Sequence, residues 1–257
     1  MSGSNCSAYP REVEWQRIQD TADSVDAYHL ADIAHITGLV AAGVHPSPVG
    51  TVDFVTGSTH KTIRAGRGGI IMSSDEHASA IDAAIIPGMQ GGPLMHNIAG
   101  KAVGFEEALQ PEFEEYAERV VDNAAALGDQ LAEHGFSLVS GGTDTHLVLV
   151  DLRESHPDTP GGVAEEALEE VGIVLNKNTV PGETRSPFNP SGVRAGTPAL
   201  TTRGFDEAAC RRVADIIARV VDAPDDDDVK ADAAAEVEDL CATYPLYDRE
   251  GTITDVE

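Results

Sequence analysis

The run Thr56-Gly57-Ser58-Thr59-His60-Lys61-Thr62-Ile63-Arg64 follows an apolar stretch, Val52 to Val55, and sets a lysine among small hydroxyl residues. A lysine leaving a buried strand in such company is not there for solubility. Its amine can condense with an aldehyde. The hydroxyls, His60, Arg64 and Arg67 would make a polar, cationic pocket for a phosphorylated aldehyde cofactor joined to Lys61 as a Schiff base. Asp32 stands near the end of another apolar run, Tyr28 to Ile33, and precedes Lys61 by 61 − 32 = 29 residues. That spacing spans one strand, connection and strand, so both side chains can reach the same sheet edge. A carboxylate facing a pyridine nitrogen favours its protonated form by charge pairing, the state in which pyridoxal phosphate withdraws electrons. Alone, Asp32 reads as an N-cap or a surface carboxylate; with Lys61 it reads as the cofactor's partner.

Other residues join this pair with less individual weight. His35 and His60 are each more often structural than catalytic, and His60 would point to the far side of the backbone from Lys61 if the segment were extended. Arg67 is flanked by glycines that permit close backbone approach. Arg194, in Ser191-Gly192-Val193-Arg194-Ala195-Gly196-Thr197-Pro198, could clamp a carboxylate such as an amino acid offers, or pair with one of the 44 acidic side chains of the chain. Gln90-Gly91-Gly92-Pro93 could turn backbone N–H groups to a phosphate ahead of a helix.

The elements that must position these groups read as follows. Glu12 to Asp26 has the apolar spacing of an amphipathic helix. Tyr28–Ile33, Val52–Val55 and Gly69–Met72 read as strands. Alternation with helices implies an α/β domain with a mainly parallel sheet, whose ligands gather at the carboxyl ends of the strands. Pro87 to Pro93 reads as a loop. Leu94 to Glu107 and Glu112 to His134 read as two helices, or as one helix kinked at Pro111. Beyond them the pattern changes: strands at Phe136–Val139 and His146–Leu152, a helix from Val163 to Val171 ended by Gly172, and an extended piece from Val193. Closing helices span Asp206–Val221 and Val229–Thr243, with Asp225–Asp228 as a solvated linker. The expected organisation is a large domain over residues 1–121 and a smaller α+β domain over 122–257.

Bulk properties bound the function. The 257 residues suffice for two cores. The formal charge, 17 − 44 = −27, disfavours nucleic acid and anionic membranes. It suits either an acidic partner-binding protein or an enzyme adapted to high salt, and the even spread of acids favours the latter. Three separated cysteines, Cys6, Cys210 and Cys241, form no disulfide framework and no zinc-site spacing, so no metal is expected. No apolar run approaches the ~20 residues of a membrane span, and Met1 to Ser7 lacks the pattern of a signal peptide; a cytoplasmic protein is expected.

Taken together the segments resemble serine hydroxymethyltransferase, a fold-type-I pyridoxal-phosphate enzyme. The resemblance runs through Ser7-Ala8-Tyr9-Pro10-Arg11, Asp32 to Gly43, Ser58-Thr59-His60-Lys61-Thr62, and Pro87 to His96. It continues through Gly141 to Leu147, Asn176 to Pro181, Arg185-Ser186-Pro187-Phe188 and Gly192 to Pro198. It implies that Lys61 binds the cofactor, that Asp32 pairs with its ring nitrogen, and that His35, Ser7 and Ser58 lie beside it. It further implies that His60 acts next to Lys61, that Arg194 holds the substrate carboxylate with Arg67 also on the substrate side, and that Ser186, Pro187 and Phe188 border the folate. Gly91 and Gly92 would approach the cofactor phosphate of a neighbouring subunit, in a homodimer. The implied reaction passes the hydroxymethyl carbon of serine to tetrahydrofolate, or to a modified folate, leaving glycine.

Family members are considerably longer, and the resemblance starts inside their large domain. It therefore implies that a first phosphate loop, a ring-stacking histidine and a proton-handling acid lie outside this sequence. Apolar sheet edges and poor turnover by this stretch alone would follow, unless an N-terminal half complements it. A non-catalytic remnant, or an interaction subunit of an intact paralogue, is the alternative. A threonine aldolase is a weaker one, opposed by Thr59-His60-Lys61 and by Arg185 to Phe188. Gly57, Ser58 and Ala65-Gly66 depart from the usual family residues.

Overall fold

The computed structural model describes residues 2–247, and these form two compact units divided between Ala117 and Glu118. The first unit is built on a four-stranded sheet of β1 (Ser2–Asn5), β2 (His29–Asp32), β3 (Phe54–Ser58) and β4 (Gly69–Ser73), in that order. β1, β2 and β3 run parallel, with Asp32 in register with Asn5 on one side and Thr56 on the other. β4 is antiparallel to β3, so the expected mainly parallel sheet has one antiparallel outer strand. A short return from Ser58 to Gly69 allows this, since only a parallel return needs a long crossover.

Helix α1 (Trp15–Asp23) is shorter than the Glu12–Asp26 expected. Val13 lies before it, and Asp26 ends the turn after it with φ 53°. It is held by buried Trp15 and Ala22 and by the indole N–H of Trp15, which donates to the Pro46 carbonyl at 2.9 Å. Helix α2 (Thr37–Ala41) leaves β2 almost at once. Helix α3 (Asp75–Ala83), not read from the sequence, follows β4. Its low amphipathicity hid it, because none of its residues is buried and no apolar stripe marks it. The chain then makes a wide helical turn over Ala84–Met89 before the exposed Gln90–Pro93 segment. Helix α4 (Met95–Glu107) comes next, and α5 (Pro111–Glu133) starts at the proline itself. Proline lacks only an N–H that the first helical turn leaves unbonded anyway, so two helices form rather than one kinked helix.

In the second unit β5 (Ser137–Leu138), β6 (Leu147–Asp151), β8 (Gly192–Gly196) and β7 (Asn176–Asn178) lie in that spatial order, all neighbours antiparallel. Leu147 to Val150 are all buried in the central strand β6. Around the sheet run α6 (Leu152–Ser155), α7 (Gly161–Glu170), α8 (Pro198–Thr202), α9 (Glu207–Asp222) and α10 (Asp227–Thr243). Gly172, at φ 86°, ends the α7 turn as its position implied. The acidic run is not a linker throughout. Asp226 caps α10, its carboxylate accepting from the Asp228 and Val229 amides at 3.0 and 3.1 Å, and Asp227 and Asp228 form the first turn. Carboxylates are favoured there because the first amides of a helix lack partners and its dipole is positive.

Candidate active site

β2 and β3 are adjacent and parallel, so their carboxyl ends lie together. Asp32 is the last residue of β2 and Ser58 the last of β3. The strand runs three residues beyond the Val52–Val55 stretch, and Lys61 sits in the turn just past it. The Asp32 Oδ1 accepts from the Ala34 amide at 3.1 Å and from the Thr56 hydroxyl, on the neighbouring strand, at 3.2 Å. The half-buried carboxylate is thus held in one orientation by both strands. Its field is felt nearby: the buried Cys6 thiol is pushed up to about 11, first by burial and then by the charge of Asp32.

The hydroxyls around Lys61 prove to be fasteners. Ser58 donates to the Ala34 carbonyl at 2.8 Å, and Thr59 to the Gly66 carbonyl at 2.5 Å. Thr62 accepts from the Gly38 amide at 2.9 Å and donates to the His35 carbonyl at 2.8 Å. These bonds tie the Lys61 turn to the Asp32–Gly38 segment. Their geometry requires glycine at 38, where a Cβ would lie 2.4 Å from the Thr62 carbonyl carbon. The Arg64 amide donates to the Lys61 carbonyl at 2.9 Å, closing the turn with Arg64 at φ 56°.

Of the two arginines expected in the cationic pocket, Arg64 is turned to aromatic faces. The Arg64 guanidinium lies 3.9 Å above the Tyr116 ring and 5.7 Å from that of Phe113, where a cation meets the electron-rich face of a buried aromatic. Arg67 is exposed in the loop before β4. His60 is exposed too, with its Nδ1 3.3 Å from the Gly68 carbonyl. The segment carrying it is a turn, not extended, so the expected alternation of sides does not apply. His35 and Ser7 are half-buried. Gly91 and Gly92 are exposed, and a Cβ at either would meet nothing within 4 Å. The first unit therefore joins Asp32, Ser58, Lys61 and the His35 backbone in one bonded patch.

The second unit carries its own set. Arg194, at the centre of β8, is half-buried, and burial holds its guanidinium below its usual pKa. Its Nη2 donates to the Asn176 Oδ1 at 3.1 Å on the paired strand β7. The Ser186–Phe188 segment lies in the loop joining β7 to β8, with the Phe188 ring 90% exposed. Sequence reasoning counted Thr56 and Thr62 among the hydroxyls but did not give their partners, and it gave Asn176 no role; those partners come from distant segments of the chain.

Among the described residues, no helix is long and apolar enough to cross a membrane, and no group of three His, Cys, Asp or Glu is placed to share a metal ion.

A model of the family described as serine hydroxymethyltransferase matches residues 2–217. Serine hydroxymethyltransferases of Natronomonas pharaonis, Haloarcula marismortui and Halobacterium salinarum are 78%, 74% and 72% identical to this chain over 99%, 95% and 95% of its length. The matched stretch covers 60%, 59% and 59% of those proteins, so the chain spans about 60% of the length of the curated relatives it matches.

Proposed function

Since this chain belongs to the serine hydroxymethyltransferase family, we propose that it serves a pyridoxal-phosphate-dependent interconversion of serine and glycine, with tetrahydrofolate or a modified folate taking the one-carbon unit. The observation that carries this reading is the bonded patch at the carboxyl ends of β2 and β3, where Asp32 is oriented by Thr56 and the Lys61 turn is fastened to the same segment. These residues fit the cofactor. A carboxylate whose charge already raises a buried neighbour's pKa is suited to a protonated ring nitrogen, and a lysine on an ordered turn is suited to an aldehyde. When bound, pyridoxal phosphate supplies a ring that accepts electrons from the substrate Cα.

The chain's own groups then have distinct duties. Lys61 would hold the cofactor through its aldehyde carbon. Asp32 keeps the ring-nitrogen proton in place. Ser58 spends its proton on Ala34, so it offers only a lone pair to the cofactor. His35 and Ser7 flank the cofactor, and His60 acts on the substrate side of Lys61. Arg194 clamps the substrate carboxylate, which would offset the burial of its guanidinium, and Arg67 supplies a second cation. Ser186, Pro187 and Phe188 meet the pteridine. A second copy of the chain is the partner we assign to the exposed face near Met89, Leu94 and Met95, with Gly91 and Gly92 at the neighbour's phosphate. Cys6, Cys210 and Cys241 are free thiols, in keeping with a cytoplasmic enzyme.

The test is spectroscopic. The chain in high-salt buffer should develop a visible absorbance band with pyridoxal phosphate, and Lys61→Ala should abolish it. A band that survives Lys61→Ala overturns the assignment of the lysine. Production of glycine from serine with tetrahydrofolate would extend the reading from cofactor to reaction.

A further inference from the structure

The loop between β7 and β8 closes on one carboxylate. Glu183 accepts from the backbone amides of Thr184 at 2.9 Å, Arg185 at 2.8 Å, Ser191 at 2.9 Å and Val180 at 3.4 Å. It also accepts from the Ser191 hydroxyl at 2.6 Å. Val180 and Ser191 are the two ends of the loop, and Thr184 and Arg185 begin the arm that leads to Ser186. A second support holds the same turn from the side. Arg153, oriented by Asp151 through contacts of 2.6 to 3.1 Å, donates to the Pro181 and Gly182 carbonyls at 2.9 and 2.7 Å.

Beyond Glu183 the loop is tied to the segment at the start of α7. The Arg185 Nη2 donates to the Pro157 carbonyl at 2.6 Å, and the Asn189 Oδ1 accepts from the Gly162 amide at 3.1 Å. Phe188, between them, is 90% exposed. An exposed phenyl ring on a loop so thoroughly anchored is a presented surface, since exposing it costs hydrophobic free energy while the loop beneath is kept from folding over it.

We propose that Glu183 is the positioning residue of this loop, its carboxylate gathering both loop ends so that the Ser186–Phe188 tip is preset to receive the flat pteridine ring. The inference rests on the pteridine reading of that tip. The four amides and the hydroxyl that bond the carboxylate are all donors, so the site calls for a group with acceptors only. Burial works against ionisation here, yet the Ser191, Arg185 and Thr184 hydrogen bonds outweigh it and hold the carboxyl at about 2.

The experiment compares the full chain with Glu183→Gln, Glu183→Asp and Phe188→Ala, loaded with pyridoxal phosphate. Glutamine has the same shape but sets an NH2 donor against donors, whereas aspartate keeps the charge. Hydrogen exchange of amides 179–191 should accelerate at least about tenfold in Glu183→Gln, the loss expected when hydrogen bonds to a charged group fail. Exchange in β6 and α9 should not change, and Glu183→Asp should recover part of the protection. The dissociation constant for tetrahydrofolate, measured by calorimetry, should rise by a similar factor in Glu183→Gln and in Phe188→Ala. Unchanged loop exchange in Glu183→Gln overturns the anchoring. Faster exchange with unchanged tetrahydrofolate binding, while Phe188→Ala weakens it, overturns the positioning role. If Phe188→Ala has no effect on binding, the pteridine reading of the tip fails, and the exchange data alone uphold or overturn the anchoring.

Discussion

His29 shows how a single residue carries pH dependence into the fold. Its ring is fully buried, with Nδ1 3.2 Å from the Gln19 Oε1 and Nε2 2.9 Å from the Ser4 hydroxyl, while its amide donates to Asp53 at 2.8 Å. Burial pushes the imidazole below its usual pKa, and the Asp53 charge opposes that only partly. The unfolded chain therefore takes up this proton more readily than the folded one. The contribution of His29 to stability is complete above the unfolded value of about 6.5 and is lost as pH falls below it toward the folded value. Denaturant midpoints at fixed high salt should drop between pH 7.5 and 5.5, and His29→Leu should flatten part of that slope. An identical slope in the variant would remove His29 from the account.

Among the elements, α2 is the most constrained near the site. Gly38 lies where its backbone meets the Thr62 turn, and a Cβ there would stand 2.4 Å from the Thr62 carbonyl carbon and oxygen. Backbone cannot swing aside as a flexible side chain can. Gly38→Ala should cost about 1–3 kcal/mol, as overpacking does, and should reduce pyridoxal-phosphate binding by loosening the Lys61 turn; equal denaturant midpoints would refute the clash. The cap of α10 gives a second test. Asp226→Ala should cost about 1 kcal/mol in thermal or chemical unfolding while Asp226→Asn retains most of it, because both Asp and Asn accept from the first amides.

For the elements, the sequence was legible where apolar periodicity was strong. Helix α9 and strand β6 have buried faces that their residue patterns announce. Helix α3 and strands β1 and β7 were missed: α3 has no buried side, and the strands are short outer ones whose identity lies in their pairing.

Charge governs the molecule as a whole. A net charge of −27 on 257 residues repels itself over a Debye length of about 10 Å at 0.1 M salt, but over only about 3 Å at 1 M. Few cations offset it, and several ion pairs, such as Arg219 with Glu236 at 2.9 Å, are exposed and worth little. The melting temperature should rise steadily from 0.1 to 2 M KCl; a flat profile would show that the acidity is not a salt adaptation. The sequence by itself determined this charge and the family, because composition and ordered motifs survive without coordinates. Only the tertiary structure decided what the neighbours of Lys61 do. Thr59, Thr62 and Arg64 could each have faced a ligand, but unbonded backbone groups and the faces of Tyr116 and Phe113 claimed them. Which donor meets which acceptor depends on strands brought together from distant parts of the chain, and local sequence does not encode that meeting.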